Sequence, residues 1–395
     1  MKSIQWWKRA RMETPGCAEV VHLDNAGAAL PPAVVTDTVM AHLRAEALHG
    51  GYRAAAEAAP RLAMVRASIA ALLNADSRDI ALADSATRAW QAVFYALPFE
   101  PGDRILTCRA EYASNVIAYL QVAERTGARV EVVGDDADGQ LDVKDLRRRI
   151  DERVRLIAIT HVPTQGGLIN PAEEVGKIAE DAGVPFLLDA CQSAGQLDLD
   201  VERLCCDALS APGRKYLRGP RGTGFLYVRP RLRERLKPAV LDLHSATWTA
   251  PNQYQVQETA QMFETWESNV AAVLGLGAAV DYASALGIGA IQDRVCALAE
   301  RLREDLEQVP GVKVHDLGKR KCGIVTFTVA GRSAAEVHRR LTDMDINTSV
   351  SQREYAQFDL PARSLPDLVR ASVHYYNTEE ELQRLVDAVG EIRDK

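Results

Sequence analysis

Between Val184 and Val228 the chain reads VPFLLDACQSAGQLDLDVERLCCDALSAPGRKYLRGPRGTGFLYV. Two short apolar runs, Phe186 to Leu188 and Gly224 to Val228, bracket the acid Asp189 and a lysine, Lys215, set among glycines. An apolar run without alternation suits a strand buried on both faces, as in a parallel sheet. A carboxylate at the carboxyl end of such a strand stands where open α/β sheets bind ligands. Upstream, strand-like and helix-like runs alternate: Ala128 to Val133, Val143 to Ile150, Val154 to Thr160, then a loop and helix leading to Phe186. That is the βαβ order of a doubly wound sheet.

One chemistry uses an acid and an amine in this relation. Pyridoxal phosphate needs a lysine to hold its aldehyde as a Schiff base and a carboxylate to keep its ring nitrogen protonated, so that the ring absorbs the electrons of a substrate carbanion. Spacing alone does not separate this from a loop acid and a solvated surface amine.

The words themselves do separate them. LLDACQSAGQLDLDV followed by APGRKYLRGPRGTGFLYV resembles the class V aminotransferase fold, the group that holds cysteine desulfurases, isopenicillin N epimerase, kynureninase and carbon–sulfur lyases. The resemblance implies an α/β protein of the pyridoxal-phosphate-dependent fold type I: a mostly parallel, doubly wound sheet in a large domain, with a small α+β domain at the C-terminal end. It implies that Asp189 pairs with the ring nitrogen, Gln192 bonds the phenolic oxygen and Lys215 forms the Schiff base, with Arg214 beside it in the cofactor set. The implied division is an arm at 1–20, a cofactor-binding domain at 21–262 and a small domain at 263–395 that opens on an interdomain helix.

Further words extend the comparison. VHLDNAGAALPP resembles a loop that runs along the active-site mouth, so Asn25 and Ala26 are expected near substrate. Asp79 to Ala83 reads as a strand leading into ADSATRAW, where free backbone N–H groups at a helix start favour an anion; a plain N-cap explains Ser85 or Thr87 equally well. The family's phosphate turn is matched in part, through Thr87 and the backbone of Ala86. EYASN is similar to an EHxxN word whose histidine stacks on the cofactor, which places Tyr112 there, since tyrosine also stacks. HVPTQGG is similar to an HVSNxxG loop, placing His161 and Thr164 on the phenolic side; a hydrogen-bonded core histidine is the other reading of His161. FETWESN resembles FEAGTPN, whose threonine reaches the partner subunit's cofactor. Trp266 and Glu267 replace its Gly and Thr, so Asn269 is carried over. Residues 230–262 are expected to be irregular and to carry specificity.

RASVHYYNTEEE matches a family word whose arginine grips the substrate carboxylate with a bidentate fork, giving Arg370 that role. Arg353 is placed against a second acidic group of the substrate. In cysteine desulfurases a loop cysteine accepts the sulfur; here INTSVSQREYAQFDL has none, and Tyr355 stands near its position. Together with FETWESN and HVPTQGG, this resembles the branch of hercynylcysteine sulfoxide lyases. The expectation is therefore cleavage of the Cβ–S bond of an S-substituted cysteine by elimination, with desulfuration disfavoured. Transamination, epimerisation or decarboxylative oxidation of an amino-acid conjugate is the alternative.

Composition sets outer bounds. The 395 residues carry a formal charge of −7, which argues against a general nucleic-acid partner. The start, MKSIQWWKRARMETPG, lacks the continuous apolar core of a signal peptide or membrane span; Trp6 and Trp7 are expected to be packing anchors. Seven cysteines, an odd number without metal-ligand spacing, suit reduced thiols in a cytoplasmic protein, with Cys205 and Cys206 buried. The resemblance adds a homodimer and an amino-acid substrate.

Overall fold

The computed structural model describes residues 5–394, so residues 1–4 of the expected arm lie outside the described residues. Seven strands form the main sheet: β1 (Ile80–Ala83), β2 (Arg104–Thr107), β3 (Arg129–Val132), β4 (Val154–Thr160), β5 (Phe186–Asp189), β6 (Ala208–Pro212) and β7 (Gly224–Val228). Their order is β1-β7-β6-β5-β4-β2-β3. All neighbours are parallel except β7, which runs against both β1 and β6.

The apolar run of β5 is buried on both faces, as its lack of alternation predicts: Phe186 and Leu188 join one core cluster and Leu187 the other. Strand order reverses between β2 and β4, because β3 lies outside β2 while β5 to β7 extend the other way. Ligands bind beyond the strand ends at such a switch point.

A four-stranded antiparallel sheet follows in the order Val312–Val314, Ile324–Val329, Leu368–Ser372, Ser349–Ser351. Its Phe327 and Val369 lie in the same core cluster as Leu188. The chain's start is stitched to this part: Val21–His22 pairs with Ile346–Asn347, and Trp6 packs 5.6 Å from Tyr375. The Arg294 guanidinium covers Trp7 at 3.8 Å.

A long helix runs from Gly51 to Leu73 with Pro60 inside it, because Gly50 at φ 86° breaks the preceding helix and an alanine-rich run restarts it at once. Two local expectations are corrected. The stretch expected to be irregular holds a hairpin, Ala246–Ala250 with Gln253–Val256, in which Trp248 faces Tyr254 across the strands. Cys206 is buried, whereas Cys205 is half-buried in a left-handed turn at φ 49°. All seven cysteines are free thiols. No single helix among the described residues is long and apolar enough to cross a membrane.

Glu264 ties the edge strand to its surroundings. It takes two bonds from Arg66, one from the Leu82 N–H at 2.8 Å and one from His244 at 2.9 Å. A buried carboxylate with four donors is satisfied in place, and it ties β1 to the preceding helix, Gly51–Leu73, which carries Arg66.

Candidate active site

A cavity of about 190 Å³ opens at the carboxyl ends of the parallel strands. Asp84 to Thr87 enter from the turn after β1, Tyr112 from the turn after β2, Thr160 from β4, Asp189 from β5, and Arg214 and Lys215 from the turn after β6. Gly222 and Thr223 come from the start of β7, which reaches the same edge because it runs antiparallel.

Asp189 and Lys215 thus line one cavity from adjacent strands. Asp189 Oδ1 accepts the Cys191 N–H at 2.9 Å and Oδ2 accepts Asn115 Nδ2 at 2.9 Å, which holds the carboxylate rigid with its face toward the cavity. Lys215 is buried, and no hydrogen bond or ion pair holds its amine among the described residues. Burial pushes it down to about 8, helped by Arg214 and Arg370 and opposed by Cys191 and Asp189. A buried amine without a partner is reactive near neutral pH.

The opposite end suits an anion. Ser85 Oγ caps the helix Ala86–Phe94 by accepting the Arg88 N–H at 3.2 Å, and Ala86 and Thr87 of its first turn line the cavity. First-turn N–H groups have no partner within their helix. Gly224 lets β7 press against this turn: a Cβ there would lie 2.8 Å from Ser85 C and 2.9 Å from Ala86 N and Ala211 O. Arg214 and Arg221 add positive charge at the rim.

Thr164 joins two other predicted residues, Gln192 and Arg370. Its Oγ1 accepts Gln192 Nε2 at 3.3 Å and Arg370 Nη1 at 2.5 Å, leaving its own proton to donate into the cavity it lines. Gln192 spends the rest of its amide nitrogen on Ala26 O at 3.0 Å, so Oε1 is buried without a partner. Arg370 is buried; Nη2 meets Asp24 Oδ1 at 2.9 Å, and Nε has no partner. Tyr112 lines the cavity with its hydroxyl unbonded among the described residues.

Other predicted residues lie elsewhere. Thr160, Val162 and Thr164 line the cavity as alternate residues, so His161 falls on the other face, where burial drives it down to about 4. The Asn25 amide is consumed by His22 O, Ser372 O and Tyr376, and Ala26 offers only its carbonyl, to Gln192. Asn269 caps the helix Val270–Leu286 through the Ala272 N–H at 2.9 Å. Arg353 and Tyr355 form an exposed turn outside the cavity lining, because the Arg353 N–H anchors that turn to Asp367 at 2.8 Å.

The sequence reading passed over Asp84, Cys191, Arg221 and Thr223, all of which line the cavity. Cys191 adjoins the chosen Asp189 and Gln192 in the word DACQ, and Arg221 and Thr223 lie in the word GPRGTG. Burial, then Asp189, raises the Cys191 thiol well above its ordinary value, so it stays protonated.

Comparison with known proteins gives a family and a set of relatives. The Aminotransferase class-V family model matches residues 21–385. A probable cysteine desulfurase from Methanothermobacter thermautotrophicus is 30% identical over 391 residues, 97% of each chain. A cysteine desulfurase from Serratia proteamaculans is 31% identical over 403 residues, 98% of each. The apo cysteine desulfurase of Thermococcus onnurineus superposes with a TM-score of 0.91 at 27% identity, covering 100% of both chains. These full-length relatives overturn the expectation of elimination from an S-substituted cysteine, which had set desulfuration aside because the stretch at 346–360 lacks a cysteine.

Proposed function

This chain belongs to the aminotransferase class-V family, a family dependent on pyridoxal 5'-phosphate, and from that premise we propose that it takes sulfur from cysteine and passes it to a thiol outside its own chain. The reading is carried by one observation: the full-length relatives are named cysteine desulfurase, while the loop that faces solvent here offers Tyr355.

The residues present fit the cofactor. A buried unpaired amine, a fixed carboxylate on the neighbouring strand and a helix start approached by Gly224 stand around one cavity; Gln192, expected to bond the phenolic oxygen, gives its amide hydrogens to Ala26 O and Thr164 Oγ1, so the donor left for that oxygen is the Thr164 hydroxyl. Lys215 would hold the aldehyde, Asp189 the ring nitrogen, Tyr112 one face of the ring, Thr164 the phenolic oxygen, and Ala86 with Thr87 the phosphate. Bound there, the cofactor supplies a carbonyl that takes up the substrate amine and a cationic ring that draws electrons from Cα.

The chain's own residues do the rest. Arg370 grips the α-carboxylate through its free edge and so sets which Cα bond faces the ring. Lys215, an amine near 8 in the cavity lining, would take the Cα proton of the substrate and give a proton back to carbon. The Cβ–S bond breaks and an S–S bond forms: cysteine and a thiol RSH give alanine and the persulfide RSSH. Cys191, the one thiol in the cavity lining, is held protonated, and the other six cysteines lie outside that lining, which supports an external acceptor.

The same reading includes a homodimer in a reducing cytoplasm. Exposed Trp248, Tyr254 and Trp266 near the hairpin, with Leu48, Tyr52 and Met64, support self-association, and the free thiols support the compartment. The test is to feed cysteine to the holoenzyme with and without dithiothreitol and to quantify alanine and pyruvate. Thiol-dependent alanine is expected; pyruvate without alanine overturns the reading.

A further inference from the structure

Behind Asp189 stands a second carboxyl that the functional reading above does not use. Asn115, in the first turn of the helix Ala113–Thr126, spends its two amide hydrogens on two acids: Asp189 Oδ2 at 2.9 Å and Glu111 Oε1 at 3.0 Å. Glu111 is buried and every contact it makes is a donor. Oε1 receives the Tyr112 N–H at 2.7 Å and the Thr160 hydroxyl; Oε2 receives Thr107 Oγ1 at 2.8 Å and Tyr119 OH at 3.3 Å. No lysine, arginine or histidine pairs with it among the described residues.

The titratable groups that face Glu111 are Cys108 from the turn after β2, Tyr119 from the helix and Asp189 from β5; β4 brings only the Thr160 hydroxyl. None of them is a cation. Two carboxyls joined by one amide in a poorly screened place are hard to ionise together unless positive charge arrives. Burial, opposed by Thr160 and reinforced by Asp189, accordingly raises Glu111 to about 7.

We propose that Glu111 is a positioning residue for Asp189: acting through Asn115, it fixes that carboxylate and deepens the negative field that holds a cationic ring nitrogen. The proposal rests on the reading that Asp189 meets the ring nitrogen. Docking of the cation favours the ionised form of Glu111, so binding expels a proton from it. Affinity for the cofactor therefore rises with pH as Glu111 ionises.

The test is equilibrium binding of pyridoxal phosphate, and of its carbocyclic analogue with C–H in place of the ring nitrogen, to the cofactor-stripped full chain on both sides of neutrality. Asp189→Asn should abolish the preference for the nitrogen-bearing ligand. Glu111→Gln and Asn115→Ala should each cut that preference about tenfold, the effect of losing one hydrogen bond to a charged group. The double variant should lose no more than either single one, and Glu111→Gln should lose the part of the pH dependence centred near neutrality. Equal weakening of both ligands in Glu111→Gln and Asn115→Ala would show a merely structural role and overturn the proposal. If Asp189→Asn keeps the preference, the assignment of Asp189 fails first and this inference with it.

Discussion

Arg370 and Asp24 face each other at 2.9 Å, joining a strand near the chain's end to the loop after its first strand. The guanidinium proposed to grip a substrate carboxylate is therefore aimed before substrate arrives: Asp24 and Thr164 hold its two Nη atoms. Arg370→Lys keeps the charge but loses the planar fork. It should lower kcat/KM for cysteine by about 10- to 100-fold, the range for a lost hydrogen bond to a charged group. Asp24→Asn should raise KM in the same direction by less. Steady-state kinetics check both, and an unchanged KM in Arg370→Lys would remove the arginine from substrate binding.

Gly224→Ala tests the anion end. The added Cβ meets backbone atoms of Ser85, Ala86 and Ala211 within 3 Å, and backbone cannot swing aside as a long side chain can. The expected cost is about 1–3 kcal/mol of stability, with weaker cofactor retention because the Ala86–Thr87 turn is displaced. Thermal unfolding and a cofactor titration read the two effects. A variant that binds cofactor as tightly as the parent would mean that this turn does not hold the phosphate.

Cofactor uptake should depend on pH through Lys215. Only the neutral amine attacks an aldehyde, so the rate of uptake by the stripped protein should rise through about pH 8 and then level off. Arg214→Gln removes a like charge and should move that midpoint upward. Stopped-flow absorbance follows both. A rate flat across this range would assign the reactive amine elsewhere.

Much of this site was legible because short local words set it. An unbroken apolar run ending in an acid, and a lysine among glycines, mark the ends of β5 and β6 wherever the rest of the chain goes. His161 was misplaced because a strand's alternation continues past its last paired residue: Thr160 and Val162 take the cavity side and turn the imidazole away. Asn25 was misplaced because the residues that consume its amide, Ser372 and Tyr376, are far along the chain. Glu111 left no trace in pattern, since a buried carboxyl is recognised only by the donors folded around it. The hairpin at 246–256 was hidden by polar strand residues whose partner is each other and not the core.

The displaced histidine has its own consequence. In the unfolded chain an imidazole protonates near pH 6.5, about its ordinary value, whereas burial lets His161 do so in the fold only near 4. Its contribution to stability is complete above the unfolded value and is lost as pH falls through that interval. His161→Leu should flatten the acid limb of the stability curve measured by urea unfolding. An unaltered limb would show that His161 is not what acid unfolds.

The most direct measurement is peptide mapping by mass spectrometry after borohydride reduction of the holoenzyme. The cofactor's added mass should appear on the peptide that contains Lys215, and no modified peptide should remain in Lys215→Ala. Reduced cofactor on a different lysine, or on none in a protein that demonstrably binds it, would contradict the pairing of Lys215 with Asp189 from which every other assignment is built.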